Sequence, residues 1–282
     1  MRQALILAAG EGTRLRPLTL DRPKPMLAVG GVPVLERQIL LLRRHGICDI
    51  AINVCYHGEV IQRHVGDGAR WGVQVAYLVE PALLGSAGTL LRLRDHFTGT
   101  FVALYGDLYT DADISALAAF HAQHRAVCTL ALHHAEEPTR EGIVAIDPTS
   151  GRVTQFVEKP TQHEVFSRMA NAGIFVMEPA ALDVLPRDRH PLDIGHDLLP
   201  ALLAEGVAVY GTQLHGFVLD IGSPERYRQA DAHASAHSAT TSLAVPWRRS
   251  RVGCPAAPRL KRGFHAPIRF SLPRHAGHRS GR

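Results

Sequence analysis

The stretch Ala4-Leu-Ile-Leu-Ala-Ala-Gly10-Glu-Gly-Thr-Arg14-Leu-Arg-Pro17-Leu-Thr19, followed by Arg22-Pro-Lys24-Pro25-Met26, decides how the rest of the chain is read. Leu5 to Ala9 is apolar with no polar alternation, the pattern of a parallel strand covered on both faces. The run stops at Gly10, and Gly12 follows two residues later. Glycine allows positive φ and lets a ligand come close to bare backbone amides. Arg14, Arg16 and Lys24 add three positive charges beside those amides. Exposed N–H groups next to fixed cations suit a polyphosphate better than a neutral ligand.

A Gly-x-Gly by itself also describes an ordinary strand-to-helix turn, so the surrounding residues have to carry the reading. No Gly-Lys-Ser/Thr follows at the spacing of a Walker loop. The dinucleotide fingerprint also fails, because it needs a third glycine opening the helix and an acid about twenty positions on.

Further along, apolar segments alternate between strand and helix signals. Val32 to Gly46 reads as an amphipathic helix ended by glycine, and Asp49 to Val54 as a strand. Glu59 to Val65 is a short helix, Val73 to Val79 a strand, Leu90 to Asp95 helical, and Phe101 to Tyr105 a strand closing on Gly106-Asp107. This order predicts an α/β fold with a doubly wound, mostly parallel sheet and helices on both faces. Ligands of such sheets sit at the carboxyl ends of the strands, where Gly10 and Asp107 both fall. The second half alternates less regularly. Strands are expected at Cys128–His133, Ile143–Ile146, Val153–Glu158 and Ile174–Met177, with Val207–Thr212 and Phe217–Asp220 closing the sheet. Helices are expected around 180–185 and 198–203, and from Glu225 to Ala236.

The opening string resembles the signature of the sugar-1-phosphate nucleotidyltransferases, the enzymes that make NDP-sugars, and the likeness extends over about residues 1–235. It implies the Rossmann-like nucleotide-diphospho-sugar transferase fold. It also implies a glycine loop wrapping a nucleoside triphosphate, with contacts from Ala8, Ala9, Gly10, Gly12, Thr13, Arg14 and Lys24. The stretch Glu80-Pro-Ala-Leu-Leu-Gly85-Ser86-Ala87-Gly88 is similar to the family's base-cradling Glu-x-Pro-Leu-Gly-Thr-Ala-Gly. It has one extra residue before Gly85, and Ser86 replaces threonine. Glu80 accepts hydrogen bonds only. The adjacent N1–H and N2 amine of guanine suit such an acceptor and tilt the reading toward GTP, although Glu80 contacting ribose or capping its own loop stays open.

Asp107, in Tyr105-Gly106-Asp107, ends a strand expected to share a rim with the phosphate loop, and Asp220, in Asp220-Ile-Gly222-Ser-Pro, looks like the family's Asp-Ile-Gly-Thr-Pro motif, with serine for threonine. Two carboxylates facing a triphosphate suit a hard cation such as Mg²⁺, which takes phosphate oxygens and waters as its remaining ligands. Asp111 and Asp113 read as solvated or helix-capping. Val157-Glu158-Lys159-Pro160 resembles the Glu-Lys-Pro motif, which implies sugar hydroxyls on Glu158 and the sugar phosphate on Lys159. Asn171-Ala172-Gly173 resembles the next sugar-reading motif. Asp193 and Asp197 read as caps. The resemblance thus implies catalytic roles for Arg14, Lys24, Asp107 and Lys159.

The reaction implied is attack of a sugar 1-phosphate on the α-phosphorus of an NTP. GTP with mannose 1-phosphate or a heptose 1-phosphate is favoured over uridylyl or adenylyl transfer to glucose 1-phosphate or N-acetylmuramate 1-phosphate. A non-catalytic, sugar-nucleotide-sensing subunit on the same fold would be expected to lack Arg14, Lys24, Asp107 or Lys159, and all four are present.

Composition sets the outer bounds. At 282 residues and 46% hydrophobic, the chain can bury one large core, with at most a modest appendage. No apolar run reaches the ~18–20 residues that span a bilayer, and no signal peptide is recognisable. Four scattered cysteines without a C-x-x-C pair suggest reduced thiols in a cytoplasmic protein. The net charge of +5 is unevenly placed: ten of the 31 bases and no acid lie from His237 onward, leaving 21 bases against 26 acids before it. Residues 236–282, rich in Ser, Pro, Arg and His, are expected to form a largely disordered basic tail. Without a repeating aromatic platform the tail argues weakly for nucleic acid. The expected partners are therefore the NTP and the sugar phosphate, with a homo-oligomer allowed.

Overall fold

The computed structural model describes residues 1–237, so the expectation for the tail beyond them, Cys254 included, lies outside the described residues. A nine-stranded sheet forms the centre. Gln3–Leu7 lies between Asp49–Val54 and Phe101–Tyr105, parallel to both, and Gln74–Val79 adds a fourth parallel strand beyond Asp49–Val54. Beyond Phe101–Tyr105 the sheet becomes mixed. The long strand Met169–Met177 runs antiparallel to Phe101–Tyr105 and Cys128–His134, and Val209–Gln213 runs parallel to Cys128–His134. Gly142–Ile146 and Val153–Glu158 pair antiparallel at the far edge.

Both faces are covered, as the unbroken apolar run at Leu5 predicts. On one face Ala4 and Ile6 pack with Leu35, Ile39 and Leu42, the inward stripe of the helix Val34–Arg44, and with the helices Gly58–Val65 and Ile114–His124. On the other, Leu5 and Phe101 pack with Leu90 of the helix Ser86–Arg92 and with Leu199 and Leu202 of the helix Leu199–Ala204. Fully burying side chains of this size contributes about 1.5–3 kcal/mol each. This is the doubly wound arrangement expected from the alternation of strands and helices.

Two local readings need correction. Phe217–Asp220 does not close the main sheet: Val218–Asp220 pairs antiparallel with Leu108–Thr110 in a separate ribbon. The helix Ile114–His124 was not anticipated. Its apolar residues (Ile114, Leu117, Ala118, Ala119, Phe120) surround most of the helix and blur the 3.6-residue period. Asp113 caps it, accepting from the Ala116 amide at 3.0 Å, as expected for that acid. Of the cysteines, Cys55 and Cys128 are free.

Candidate active site

Two cavities, of about 400 and 470 Å³, open at the carboxyl ends of the parallel strands, and Tyr105 and Asp107 line both. One wall of the first is a continuous stretch of chain. Where the strand Gln3–Leu7 ends, the chain turns through Ala8, Ala9, Gly10 and Gly12 along the cavity wall, followed by Thr13 and Arg14. Gly12 has φ of 64°, the left-handed region that favours glycine, and a Cβ there would meet the Cβ of Lys24 at 3.0 Å. Gly10 has open space where its Cβ would be, so its wall is bare backbone facing the cavity.

A buried polar network fixes this wall. Asn53, near the end of Asp49–Val54, accepts from the Ala8 amide at 2.7 Å and donates to Glu80 Oε1 at 2.9 Å. Thr89 also donates to Glu80 Oε1 at 2.6 Å, and the Leu84 amide donates to Oε2 at 3.2 Å. Of the readings left open for Glu80, its loop-bracing role is visible: three donors already use the carboxylate, and Oε2 holds most of its remaining acceptor capacity. Asn53 was missed by sequence reasoning. Its signal was a lone amide in the apolar run Ile50-Ala-Ile-Asn-Val54, since such a group is buried only with partners.

Gly85 and Ser86 also line the first cavity. The Ser86 hydroxyl donates to Asp193 at 2.7 Å and accepts from the Ile194 amide at 2.8 Å, tying the loop to the turn after Leu192. Asp193 caps that turn through the Gly195 and His196 amides, as expected. Ala87, expected beside them, is fully buried in the core, with its amide donating to the Leu192 carbonyl, and is not among the residues that line the cavity.

At the junction, Lys24 is buried, with Nζ bonded to Asp107 and 3.3 Å from Asp220 Oδ1. The Val218–Asp220 ribbon explains how acids so distant in sequence meet. Asp220 is paired opposite Leu108, and the Ile221 amide donates to the Asp107 carbonyl at 3.1 Å. Burial works against charge on Lys24, but the two aspartates outweigh it and hold its pKa above the lysine range. Burial would likewise raise Asp107, yet Lys24 keeps it below the carboxylate range. Asp220 is pushed up by burial and by the charge of Asp107. Arg14 completes the rim: its Nη2 stands 3.1 Å from where a Cβ on Gly222 would lie.

The second cavity is lined by side chains from many elements. Glu158, Lys159, Asn171, Gly173 and Asp220 all line it, so the expected sugar-side residues are brought together. Glu158 is wedged against Gly142 and Gly195, where a Cβ at either position would come within 2.5 Å of its Oε2. Burial and the nearby charge of Asp193 raise its pKa, although Lys159 opposes them with Nζ 3.6 Å away. Lys159 carries φ of 46°, a left-handed backbone that a non-glycine residue holds at a cost of about 1–3 kcal/mol. Its side chain is 63% exposed at the edge of the cavity. Opposite, a shift of register in Met169–Met177 between Asn171 and Phe175 carries Gly173 (φ 74°) against the Tyr105 ring. Asn171 Oδ1 accepts from the Gly173 amide at 3.0 Å.

Sequence reasoning also missed a chain of polar contacts on this side. His133 Nε2 lies 2.6 Å from Glu141 Oε2, and Arg226 Nη2 donates to Glu141 Oε1 at 3.0 Å. No local pattern links residues 133, 141 and 226, so nothing in the sequence marked them.

Residues 3–237 match the family described as Nucleotidyl transferase. The chain is 36% identical over 242 residues to a UTP–glucose-1-phosphate uridylyltransferase from Synechocystis sp., which covers 81% of this chain and 62% of that protein. It is 34% identical over 230 residues to mannose-1-phosphate guanyltransferase beta-A from Xenopus laevis, covering 80% and 62% respectively. The chain therefore spans 62% of the length of these two relatives. Among solved structures, HddC from Yersinia pseudotuberculosis complexed with GMP-PN shares the fold. Its TM-score is 0.69 at 24% identity, over 83% of this chain and 99% of that one.

Proposed function

The chain belongs to the nucleotidyl transferase family, and from that premise we propose that it condenses a nucleoside triphosphate with a sugar 1-phosphate, releasing pyrophosphate. The observation that carries this reading is the junction: two cavities meet at Asp107, with a buried lysine bridging two carboxylates. A phosphate oxygen of the sugar 1-phosphate attacks the α-phosphorus. The bond from that phosphorus to the bridging oxygen breaks, and the electron pair leaves with pyrophosphate. The nucleophile is already an oxyanion, so no general base is required. The work is positioning and charge neutralisation.

In this reading the amides of Ala8 to Thr13, with Arg14, hold the triphosphate, and Lys24 turns from the carboxylates toward phosphate as it binds. Glu158 and Asn171 face the sugar, and Lys159 swings onto its phosphate. Asp107 and Asp220 offer hard oxygen donors that already converge on one cation, the Lys24 ammonium. They fit Mg²⁺ completed by phosphate oxygens, and such an ion would supply charge stabilisation to the phosphates.

For the substrates we propose GTP with mannose 1-phosphate or a heptose 1-phosphate. The likeness to the guanyltransferase and the acceptor at Glu80 support it. A second reading, UTP with glucose 1-phosphate, is favoured by one specific observation. With Oε1 taken by Asn53 and Thr89, Glu80 presents mainly Oε2, which matches the single imino donor of uracil. Pyrophosphate release with Mg²⁺ tests both, crossing GTP, UTP, ATP and dTTP with mannose, glucose and heptose 1-phosphates. Release with a GTP pair is expected. Release with UTP and glucose 1-phosphate keeps the chemistry and replaces the base, and no release from folded protein rejects the reading.

A further inference from the structure

We infer that Arg226 is a sugar-phosphate-binding residue, held in place by Glu141 and, through it, by His133; the inference rests on the reading of the second cavity as the sugar-phosphate site. Arg226 lies in the first turn of the helix Pro224–His237, beside the Asp220 ribbon, and lines the second cavity. Nη2 is committed to Glu141 Oε1 at 3.0 Å. Nη1 stands 3.9 Å from Asp220 Oδ2, too far for a hydrogen bond.

The arrangement is specific in what it prevents. An arginine beside a carboxylate whose only other cation among the described residues, Lys24, is shared with Asp107 would be expected to close onto it in a bidentate pair. Glu141 stops this by holding one end of the guanidinium, and His133 stops Glu141 from rotating away by occupying its other oxygen at 2.6 Å. Glu141 is only 12% exposed, which makes rearrangement costly. Burial would raise its pKa, but His133 and Arg226 hold it below the glutamate range, so it remains an anion at neutral pH. A planar cation with five donors is thus fixed by one edge and offers the rest to the cavity.

The geometry selects the ligand. A sugar phosphate poised for attack must set its phosphate near the Asp107 and Asp220 carboxylates, so cations on its own side have to balance its charge. The cation paired with them, Lys24, lines the nucleotide cavity. On the sugar side, Lys159 is exposed and flexible, a point charge that follows its ligand. Arg226 is 29% exposed and braced at both ends of its carboxylate partner. The two cations therefore act differently on the same phosphate. Lys159 supplies charge, and Arg226 supplies a fixed, directional seat for the phosphate oxygens.

Steady-state kinetics on the full chain test this, with the sugar 1-phosphate and the NTP varied separately on the best substrate pair. Arg226→Ala is expected to raise KM for the sugar 1-phosphate about 10- to 100-fold while KM for the NTP stays within about threefold. Arg226→Lys should recover only part of the loss, because an ammonium cannot reproduce the fork. Glu141→Gln, which leaves the arginine less firmly held, should raise the same KM by about 3- to 10-fold. Millimolar guanidinium ion added to Arg226→Ala should lower KM for the sugar 1-phosphate again, which a merely structural arginine would not show.

A sugar-phosphate KM unchanged within about twofold in Arg226→Ala, or an equal rise for both substrates, overturns the inference. Wild-type protein silent with every pair would instead overturn the proposed reaction. Titration calorimetry with glucose 1-phosphate then decides separately for Arg226: binding to wild type that is lost in Arg226→Ala keeps the seat, and equal or absent binding removes it.

Discussion

The two cavities share Tyr105 and Asp107 but are built by opposite means. In the cavity we assign to the nucleotide, one wall is continuous chain, the backbone and small residues from Ala8 to Thr13 at the end of one strand, with Glu80, Gly85 and Ser86 also lining it. The sugar-side wall is discontinuous, assembled from side chains of the strands Val153–Glu158 and Met169–Met177, the turn at Asp193 and the last helix. A triphosphate presents the same oxygens whatever its base, so a fixed ring of amides serves it. A sugar phosphate is told from its isomers by hydroxyls at particular angles, which calls for side chains aimed from several directions.

The strongest way to break this comparison is at the residue both walls share. Asp107→Asn removes the charge that pairs with Lys24 and one of the two carboxylates at the junction. We expect kcat to fall about 10³-fold or more, with much smaller changes in both KM values, since the group acts on charge at the reacting phosphates. If one KM instead rises alone and kcat holds, Asp107 belongs to one cavity and the junction is misread.

On the nucleotide side, a wall of backbone should depend on what braces it. Asn53→Ala removes the acceptor for the buried Ala8 amide and a donor to Glu80. Leaving such groups unpaired should cost about 1–3 kcal/mol in urea unfolding, together with a raised KM for the NTP. The glycines separate fold from function within the same loop. Gly12→Ala forces a Cβ into a left-handed backbone against Lys24 and should lower stability by about 1–2 kcal/mol. Gly10→Ala meets nothing in the protein, so its melting temperature should stay near wild type while its methyl group intrudes on the bound phosphates and raises KM for the NTP. Equal loss of stability in both variants would show that Gly10, too, is structural.

The same contrast explains what could be read from the sequence. The nucleotide wall is local: a strand, two glycines and a run of cations lie within twenty-four positions, and each has its own physical signature. Glu158-Lys159 and Asn171-Ala-Gly173 were found by resemblance, because an acid–base pair and an amide turn have no distinctive signature alone. The first part of the strand containing Asn171 was not assigned, since Asn and Gly are poor strand formers and their presence there depends on a bulge that only the neighbouring strands define. Asn53 left a faint trace as a polar residue in an apolar run. Glu141 and Arg226 left none: their pairing spans 85 positions and is a product of the finished fold. Ala87 shows the opposite case: a small residue in a recognised motif lies in the core beneath the site, where its burial has no signature of its own.

The smallest expected effect is also the one that most sharply separates the sugar-side wall from a merely stable one. Glu158 is half-buried between two glycines, and its pKa lies above the ordinary glutamate value because burial and Asp193 disfavour its charge. The folded protein therefore holds this proton more tightly than the unfolded chain does. In the window between the ordinary glutamate value of 4.5 and the raised folded value, stability falls as pH rises, and above that window the penalty is constant. Glu158→Gln carries no charge to desolvate. It should unfold at a higher urea midpoint than wild type at neutral pH, and the gain should shrink to nothing as pH drops below the ordinary value. The same variant should lose affinity for the sugar 1-phosphate. Stability gained where binding is lost is what a side chain placed for a ligand shows. If Glu158→Gln is destabilised at every pH, then Glu158 holds the fold together, and the wall on that side is structural after all.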